Sequence, residues 1–289
     1  MPYTLITGAT GLIGRALCTS LDQDTPPLAI SRGQLDLNTA SVQGDFARFE
    51  DLRQLDRYEI EAVVHLGAVT GGCSERDGFA VNVEGTRCLM RYLIDRGCRR
   101  FVLASSIAVV GLQSAEFRPR RFPIPDEHPC FDRHGYGLSK YLMEELARYY
   151  HRQNPLLDIT NLRLAAIHSD DAPPPWNHGD TPGEWALAGL TRMNLSDAVA
   201  AIRAALDISK PGQQPGFRVL NAAAPHAWAD RPTAEILRAW YGPEVDLTWF
   251  EQPGHERRGA FDVRSIENEL GFTATHTPMP PLQHDHVAR

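Results

Sequence analysis

Three glycines at three-residue spacing, close behind an apolar run at the start of the chain, constrain the fold more than any other feature. The β-prone run 3–6 precedes Gly8, Gly11 and Gly14, and a helical pattern follows. Glycine permits a sharp turn and a close approach of the backbone to a ligand. Such a strand–turn–helix unit offers backbone N–H groups and a helix N-terminus to a pyrophosphate. The commoner fingerprint is Gly-x-Gly-x-x-Gly, so a glycine-rich turn without a ligand is the alternative interpretation.

The net charge, the length of the apolar stretches and the cysteine content argue against several classes of protein. A net charge of -7 over 289 residues argues against a nucleic-acid-binding surface. No apolar stretch approaches the roughly 20 residues of a membrane helix, and no signal peptide precedes the first strand. The five cysteines form no Cys-x-x-Cys pair, which predicts free thiols rather than disulfides or zinc. We therefore predict a cytoplasmic protein with no metal and no membrane or nucleic-acid partner.

Apolar β-prone runs alternate with helical patterns from residue 3 to about 165. We predict strands at 3–6, 28–30, around Val42, and at 62–66, 101–104 and 159–164, with intervening helices at 49–58, 81–96 and 137–150. This alternation predicts an α/β fold, a Rossmann-type doubly wound parallel sheet with a small C-terminal α/β substrate-binding part.

We predict three regions along the chain. Residues 1–165 form the dinucleotide-binding core, and residues 276–289 form a tail. Residues 166–275 form a mixed region, in which about 196–221 complete the core. The rest, with helices near 233–241 and 263–270 and a strand near Leu247, forms the substrate-binding part. His284 and His286 in the tail lack partner ligands nearby in sequence, so a solvated tail is favoured over a metal site.

Tyr136 and Lys140 carry the second strong signal. Four residues apart on a predicted helix, they share one face. A lysine ammonium beside a phenol favours the phenolate, which makes the tyrosine a usable general acid or base. Ser106 follows a buried strand at the edge where ligands bind in such sheets, and its hydroxyl could contact a substrate oxygen. Taken singly, each residue also fits an ordinary structural role.

The order of these features resembles the short-chain dehydrogenase/reductase superfamily, and more narrowly its extended type, the NAD-dependent epimerase/dehydratase family. The resemblance runs from Met1 to about residue 275. It is carried by the stretches 7–14, 44–45, 65–68, 82–86, 105–111, 136–140, 196–199 and 270–272.

The resemblance implies a nicotinamide cofactor and a catalytic set of Ser106, Tyr136 and Lys140. It places the pyrophosphate at Gly8, Thr10, Gly11, Leu12, Ile13 and Gly14. It places the adenine at Asp45 and Phe46. It places further cofactor contacts at Leu66, Gly67, Ala68, Thr70, Ala104, Tyr136 and Lys140. Thr70 and Ser106 would also meet the substrate, and Asn82 would be a structural relay behind the site.

Two departures from the family pattern concern the cofactor and the reaction. The second strand ends in Ser31-Arg32 rather than in an acidic residue. A carboxylate there would bind the ribose of NAD, whereas an arginine suits the 2′-phosphate of NADP, so we predict NADP with NAD as the alternative. Ser106 is followed by Ile107-Ala108 instead of the Asp-Glu pair of the sugar dehydratases, which argues against dehydration.

A third departure is the short substrate region. The segment 164–166 lacks the Asn of many sugar-nucleotide members, and only about thirty residues separate Arg163 from Asp197. This layout is closer to that of the family's uronate dehydrogenases, which oxidise free sugars. His168, Trp176 and Arg192 are candidate substrate residues, with an ordinary loop role as the equal alternative for each; Arg192 could hold a carboxylate or phosphate.

The sequence thus predicts an NAD(P)-dependent oxidoreductase that transfers hydride to or from a carbonyl or alcohol of a modest-sized, sugar-like substrate. A sugar or nucleotide-sugar epimerase is the first alternative, and a non-catalytic dinucleotide sensor is the second. The resemblance also implies that the chain could form a homodimer through the helices at 81–96 and 137–150.

Overall fold

The computed structural model describes residues 2–21, 25–171, 181–208 and 214–280. The chain forms two compact units. Unit 1 comprises Met1–Ser105, His134–Leu162 and Ile202–Val219, and unit 2 comprises Ser106–Arg133, Arg163–Ala201 and Leu220–Arg289. Trp176, His284 and His286 lie outside the described residues, so the predictions made for them stay predictions.

A seven-stranded sheet of order β3-β2-β1-β4-β5-β6-β9 organises unit 1. Its strands are β1 (Tyr3–Thr7), β2 (Pro27–Ser31), β3 (Ala40–Gln43), β4 (Ile60–His65), β5 (Arg100–Ser106), β6 (Asp158–Leu164) and β9 (Phe217–Ala222). Strand β1 pairs in parallel with β2 and β4, β2 pairs with β3, and β4 pairs with β5. The predicted Rossmann-type α/β fold is confirmed.

The central strands are buried on both faces, as their near-continuous apolar runs require. Leu5, Val63 and Phe101 of three adjacent strands are each at most 1% exposed and belong to one apolar cluster. Because parallel strands end at one edge of a sheet, the residues that follow β1, β2 and β4 share that edge.

The helices of unit 1 largely follow the predicted pattern. They are α1 (Leu12–Ser20), α2 (Phe49–Leu52) continued by a 3₁₀ turn (Arg53–Arg57), α3 (Glu75–Asp77), α4 (Thr86–Asp95) and α5 (Gly135–Gln153). The helix predicted at 81–96 begins earlier than expected, and a π-helical stretch, Gly78–Gly85, joins α3 to α4. A Cβ on Gly78 would lie 2.8 Å from the Gly135 carbonyl oxygen, so the close approach to α5 requires glycine.

Unit 2 contains a two-stranded parallel sheet of β7 (Ala166–His168) and β8 (Arg192–Asn194), which are too short for a periodicity signal. Its helices are α6 (Ala186–Leu190), α8 (Thr233–Tyr241) and α9 (Arg264–Leu270), and α7 (Leu195–Ile208) begins there. The strand predicted near Leu247 is wrong. Asp246 accepts hydrogen bonds from the backbone N–H and the hydroxyl of Thr248, which closes a turn at this point.

Across the described residues, none of the helices combines the length and the apolar character needed to span a bilayer.

Candidate active site

The glycine turn after β1 can be built only from glycine at two positions. Gly8 has φ of +72°, and a Cβ there would lie 2.8 Å from the backbone N of Gly67. A Cβ on Gly14 would lie 2.2 Å from the Gly8 carbonyl oxygen. The turn therefore packs tightly against the loop after β4 and against the first turn of α1.

Helix α1 begins without a side-chain cap. Its N-cap residue Gly11 offers no side chain, and the Arg15 N–H donates to the Gly11 carbonyl at 3.0 Å. The N–H groups of residues 12–14 precede the first intrahelical bond, so helix geometry leaves them available to an acceptor outside the helix. Leu12 stays 50% exposed although it is apolar. An uncapped helix start beside an exposed apolar side chain fits a dinucleotide.

Buried His65, at the end of β4, holds the loop that faces this turn. Its Nδ1 lies 2.7 Å from Thr7 Oγ1, and its Nε2 lies 2.9 Å from Thr86 Oγ1. Thr86 donates its own proton to the Asn82 carbonyl at 2.6 Å, so it accepts from His65 Nε2–H. The His65 Nδ1 then accepts from Thr7, and Thr7 Oγ1 accepts from the Gly67 N–H at 2.9 Å.

The surroundings of His65 keep its ring in the neutral form. Burial, together with the positive charge of Lys140, lowers the pKa of His65 to about 3. The ring is therefore neutral at pH 7 and acts as a structural connector rather than as a proton carrier. The Phe46 ring packs edge-on against His65 with centroids 5.0 Å apart, and a Cβ on Gly67 would meet Phe46 at 2.7 Å.

Asn82 links the loop after β4 to the start of α5. Its Oδ1 accepts from the Val69 N–H at 2.9 Å, and its Nδ2 donates to the Val69 carbonyl at 3.0 Å. The same Nδ2 lies 2.9 Å from Ser139 Oγ, whose hydroxyl donates to the Tyr136 carbonyl at 2.7 Å. One buried amide on the π-helical stretch thus orients both the 66–70 loop and the backbone of Tyr136. Irregular helical turns of this kind often occur at functional sites.

Tyr136 and Lys140 lie one turn apart on α5, as predicted. Lys140 is 3% exposed, its Nζ donates to the Ala104 carbonyl at 2.8 Å, and it lies 6.0 Å from the centroid of the Tyr136 ring. Burial lowers the pKa of Lys140, the negative charge of Glu144 offsets part of this shift, and the resulting pKa is about 8. The ammonium form therefore still dominates at pH 7 and sets a positive charge beside the phenol.

Glu144 supports this arrangement from the next turn of α5. It is 1% exposed and accepts a hydrogen bond from Ser105 Oγ, so β5 and α5 are connected next to Lys140. Sequence reasoning assigned no role to His65, Ser139 or Glu144. The signal available for Glu144 was its i, i+4 spacing from Lys140, which places both on one helix face.

The remaining predicted residues of unit 1 lie at strand ends. Arg32 follows β2, is exposed, and its side chain has no polar partner among the described residues. Gln43 donates to the Arg32 carbonyl at 3.2 Å. Asp45 Oδ1 accepts from the Ala47 N–H at 2.9 Å, which closes a turn before Phe46. The structure thus gathers the glycine turn, the 66–70 loop, Tyr136 and Lys140 within unit 1.

Ser106, His168 and Arg192 belong to unit 2. Ser106 is the last residue of β5, is 8% exposed, and its Oγ accepts from the Ala108 N–H at 3.1 Å. His168 and Arg192 lie on the paired strands β7 and β8. Arg192 is 9% exposed, so its side chain is buried rather than solvent-facing.

A model of the NAD dependent epimerase/dehydratase family matches residues 4–184, more than half of the chain. The chain belongs to the NAD dependent epimerase/dehydratase family. It is accordingly an enzyme of the NAD-dependent oxidoreductase/epimerase type, as the sequence predicts.

Two relatives show how much of the chain the sequence similarity covers. The chain is 24% identical to the uncharacterized protein YtbQ of Bacillus subtilis (strain 168) over 215 residues, 72% of this chain and 81% of YtbQ. It is 28% identical to UDP-glucose 4-epimerase 2 of Oryza sativa subsp. japonica over 187 residues, 55% of this chain. The match covers only 43% of the rice enzyme, less than half of its length.

Two solved structures share the fold. One is a short-chain dehydrogenase/reductase superfamily protein from Agrobacterium tumefaciens with bound NAD. Its TM-score is 0.69 at 24% identity, over 95% of this chain and 93% of that one. The other is a mutated uronate dehydrogenase, with a TM-score of 0.66 at 20% identity, over 95% of this chain and 82% of that one.

Proposed function

We propose that this family member is an NAD(P)-dependent oxidoreductase that transfers hydride to or from a carbonyl or alcohol of a modest-sized, sugar-like substrate. The observation that carries the proposal is the buried ammonium of Lys140 beside the Tyr136 ring, where β5 ends. Burying a charged lysine costs free energy even with the negative charge of Glu144 to support it, and buried titratable groups with shifted pKa values are typical of functional sites.

Tyr136 is the proton carrier in this proposal. In reduction, its hydroxyl donates a proton to the substrate oxygen, and in oxidation the phenolate accepts one. Lys140 stabilises the phenolate by its charge, so the proton can move near neutral pH. Asn82 and Ser139 hold the backbone of Tyr136, and the family resemblance gives Ser106 the role of donor to the substrate oxygen.

The glycine turn, the uncapped start of α1 and the exposed Leu12 fit a nicotinamide dinucleotide. When bound, such a cofactor supplies or accepts the hydride. In the proposal, Gly8, Gly11 and Gly14 with the first N–H groups of α1 hold its pyrophosphate. Phe46 and the 66–70 loop, which His65 and Asn82 fix in place, line the rest of the site.

We propose NADP as the preferred cofactor because of Arg32. Its guanidinium has no polar partner among the described residues. A 2′-phosphate accepts paired, charge-assisted hydrogen bonds from such a group. These bonds contribute roughly 1.5–3 kcal/mol, which corresponds to about 10- to 150-fold in affinity. NAD offers only hydroxyls at that position, so Arg32 gains little from it.

Titration calorimetry of the full chain with NADPH and NADH tests this preference. We expect NADPH to bind at least tenfold tighter, and Arg32→Ala to remove most of the difference by weakening NADPH alone. Arg48→Ala, at another exposed arginine of unit 1, is the control and should leave both affinities unchanged. Equal affinities of the unmodified protein for NADPH and NADH would contradict the role of Arg32 and assign NAD as the cofactor. That result would not bear on the role proposed for Tyr136.

An epimerase is the second candidate, because one of the relatives is a UDP-glucose 4-epimerase. The same residues would serve, with hydride removed from a sugar carbon and returned to it, so the cofactor ends unchanged. Incubating the protein with cofactor and a panel of sugars, while following nicotinamide absorbance and analysing the products, separates the candidates. A net absorbance change with product supports the oxidoreductase. Product without net change supports the epimerase, and no product in any sugar supports a dinucleotide sensor.

A further inference from the structure

Arg192 of unit 2 is a buried cation with no counter-charge against it among the residues that the structure describes. Only 9% of the residue is exposed. Its Nη1 is a buried donor without an acceptor, and no carboxylate contacts its guanidinium among the described residues. Burial lowers the pKa of this guanidinium to about 10, and no acidic group in the described part of the chain opposes the shift. Removing a charge from water without a partner costs several kcal/mol, so such a group calls for a functional explanation.

The guanidinium is held in place on two sides. Its Nε donates to the Gly189 carbonyl at 2.9 Å, and its central carbon lies 5.1 Å from the centroid of the Trp228 ring. Trp228 is itself 3% exposed, so the aromatic platform is rigid. One edge and one face of the group are therefore occupied, while the edge with the two terminal nitrogens has no acceptor among the described residues. That edge is the fork that binds two oxygens of one anion.

His168 adds a second polar group on the same face. Ala166 pairs with Arg192 in the two-stranded parallel sheet, and His168 follows two residues later. Side chains two residues apart on a strand point to the same face, so His168 and Arg192 share one. Burial, together with the positive charge of Arg192, lowers the pKa of His168. Neutral His168 can donate or accept a hydrogen bond beside the fork but brings no negative charge to neutralise it.

We propose that unit 2 contains an oxyanion-binding site, in which Arg192 on its Trp228 platform binds a carboxylate or phosphate group. This anion could belong to a sugar acid or phosphate handled by the enzyme, or it could be a free inorganic ion. The proposal needs no cofactor and no proton transfer, and it therefore stands or falls independently of the function proposed for Tyr136.

Titration calorimetry of the full chain at pH 7, without cofactor, tests this site with three probes. They are D-galacturonate, D-galactose as the neutral sugar that carries a hydroxymethyl group in place of the carboxylate, and inorganic phosphate. We expect Arg192→Gln to weaken anion binding at least tenfold, the effect of losing charge-assisted hydrogen bonds. Binding of galacturonate alone would identify an organic acid as the ligand, and binding of phosphate alone would identify a phosphate group, with both results supporting the site.

Two further variants separate binding from folding. Arg192→Lys keeps the charge but loses the fork, so it should bind the anion more weakly than the unmodified protein and better than Arg192→Gln. Arg238→Gln, at an exposed arginine of unit 2 paired with Glu251, should leave anion binding unchanged. If Arg192→Gln does not fold, the Arg192→Lys comparison decides. Galactose binding as tightly as galacturonate, no binding of either anion, or unchanged binding in the Arg192 variants would overturn the proposal.

Discussion

Lys140 should make the protein more stable as the pH rises above 8. Burial lowers the pKa of Lys140 to about 8 from its usual 10.5. Between these two values the unfolded chain binds more protons at this residue than the folded protein does, so the free energy of unfolding increases with pH in that interval. Below pH 8 both states are protonated, and the full cost of burying the charge remains.

The size of the effect follows from this shift. A shift of one pKa unit corresponds to about 1.36 kcal/mol, so a group with folded and unfolded pKa values near 8 and 10.5 changes the free energy of unfolding by about 2 kcal/mol between pH 7 and pH 9.5. Lys140→Met has no titrating group and should lack this gain. The charge also supports Tyr136, so turnover should fall over the same interval.

The measurement is urea unfolding at pH 7 and pH 9.5. Lys140→Met is made in the Tyr136→Phe background, so that titration of the tyrosine does not contribute. We expect the Tyr136→Phe protein to gain about 2 kcal/mol over the double variant on going from pH 7 to pH 9.5. Arg238→Met in the same background is the control and should show no gain, because an exposed arginine stays charged throughout. If the two variants gain the same stability between pH 7 and pH 9.5, or if the difference has the opposite sign, Lys140 is not buried in its charged form.

Three further predictions concern the glycine turn, Asn82 and Arg192. Gly14→Ala places a Cβ 2.2 Å from the Gly8 carbonyl oxygen, so it should destabilise the protein by about 2 kcal/mol or more and abolish dinucleotide binding. Gly33→Ala meets nothing within 4 Å and should do neither in the same unfolding and calorimetric assays. Asn82→Ala leaves Val69 and Ser139 without their partner, and it should cost about 1–3 kcal/mol and lower turnover, as measured by urea unfolding and steady-state kinetics. Arg192→Met removes an uncompensated buried charge, and this gain should offset the loss of the hydrogen bond to Gly189 and of the contact with Trp228. Urea unfolding should therefore show the variant at least as stable as the unmodified protein. A clear destabilisation would mean that the contacts of Arg192 outweigh the cost of burying its charge.

The alternation of strands and helices and the position of the glycine turn were predictable because they depend on local patterns. Buried parallel strands require apolar runs, and a turn with φ of +72° at Gly8 requires glycine. The i, i+4 spacing likewise predicts that Tyr136 and Lys140 share a helix face, which the structure confirms. These are features that neighbouring residues determine by themselves.

The supporting network depends on contacts between distant segments, which a single sequence does not reveal. His65 joins Thr7 to Thr86, and Asn82 reaches Ser139 across 57 positions. Strands β7 and β8 have only three residues each, so no alternation marks them. The burial of Arg192 depends on Trp228, 36 residues further along the chain. Without knowledge of these tertiary contacts, His65, Asn82 and Arg192 cannot be distinguished from ordinary loop residues.

The most direct test of the proposed function is the turnover of Tyr136→Phe with the sugar and cofactor found in the panel experiment. This variant keeps the ring beside Lys140 and removes only the hydroxyl that carries the proton. We predict a loss in kcat of roughly 10²-fold or more, the usual contribution of a positioned acid or base. The affinity for the cofactor should change little in a parallel calorimetric titration. Near-normal turnover by Tyr136→Phe would contradict the assignment of Tyr136 as the proton carrier.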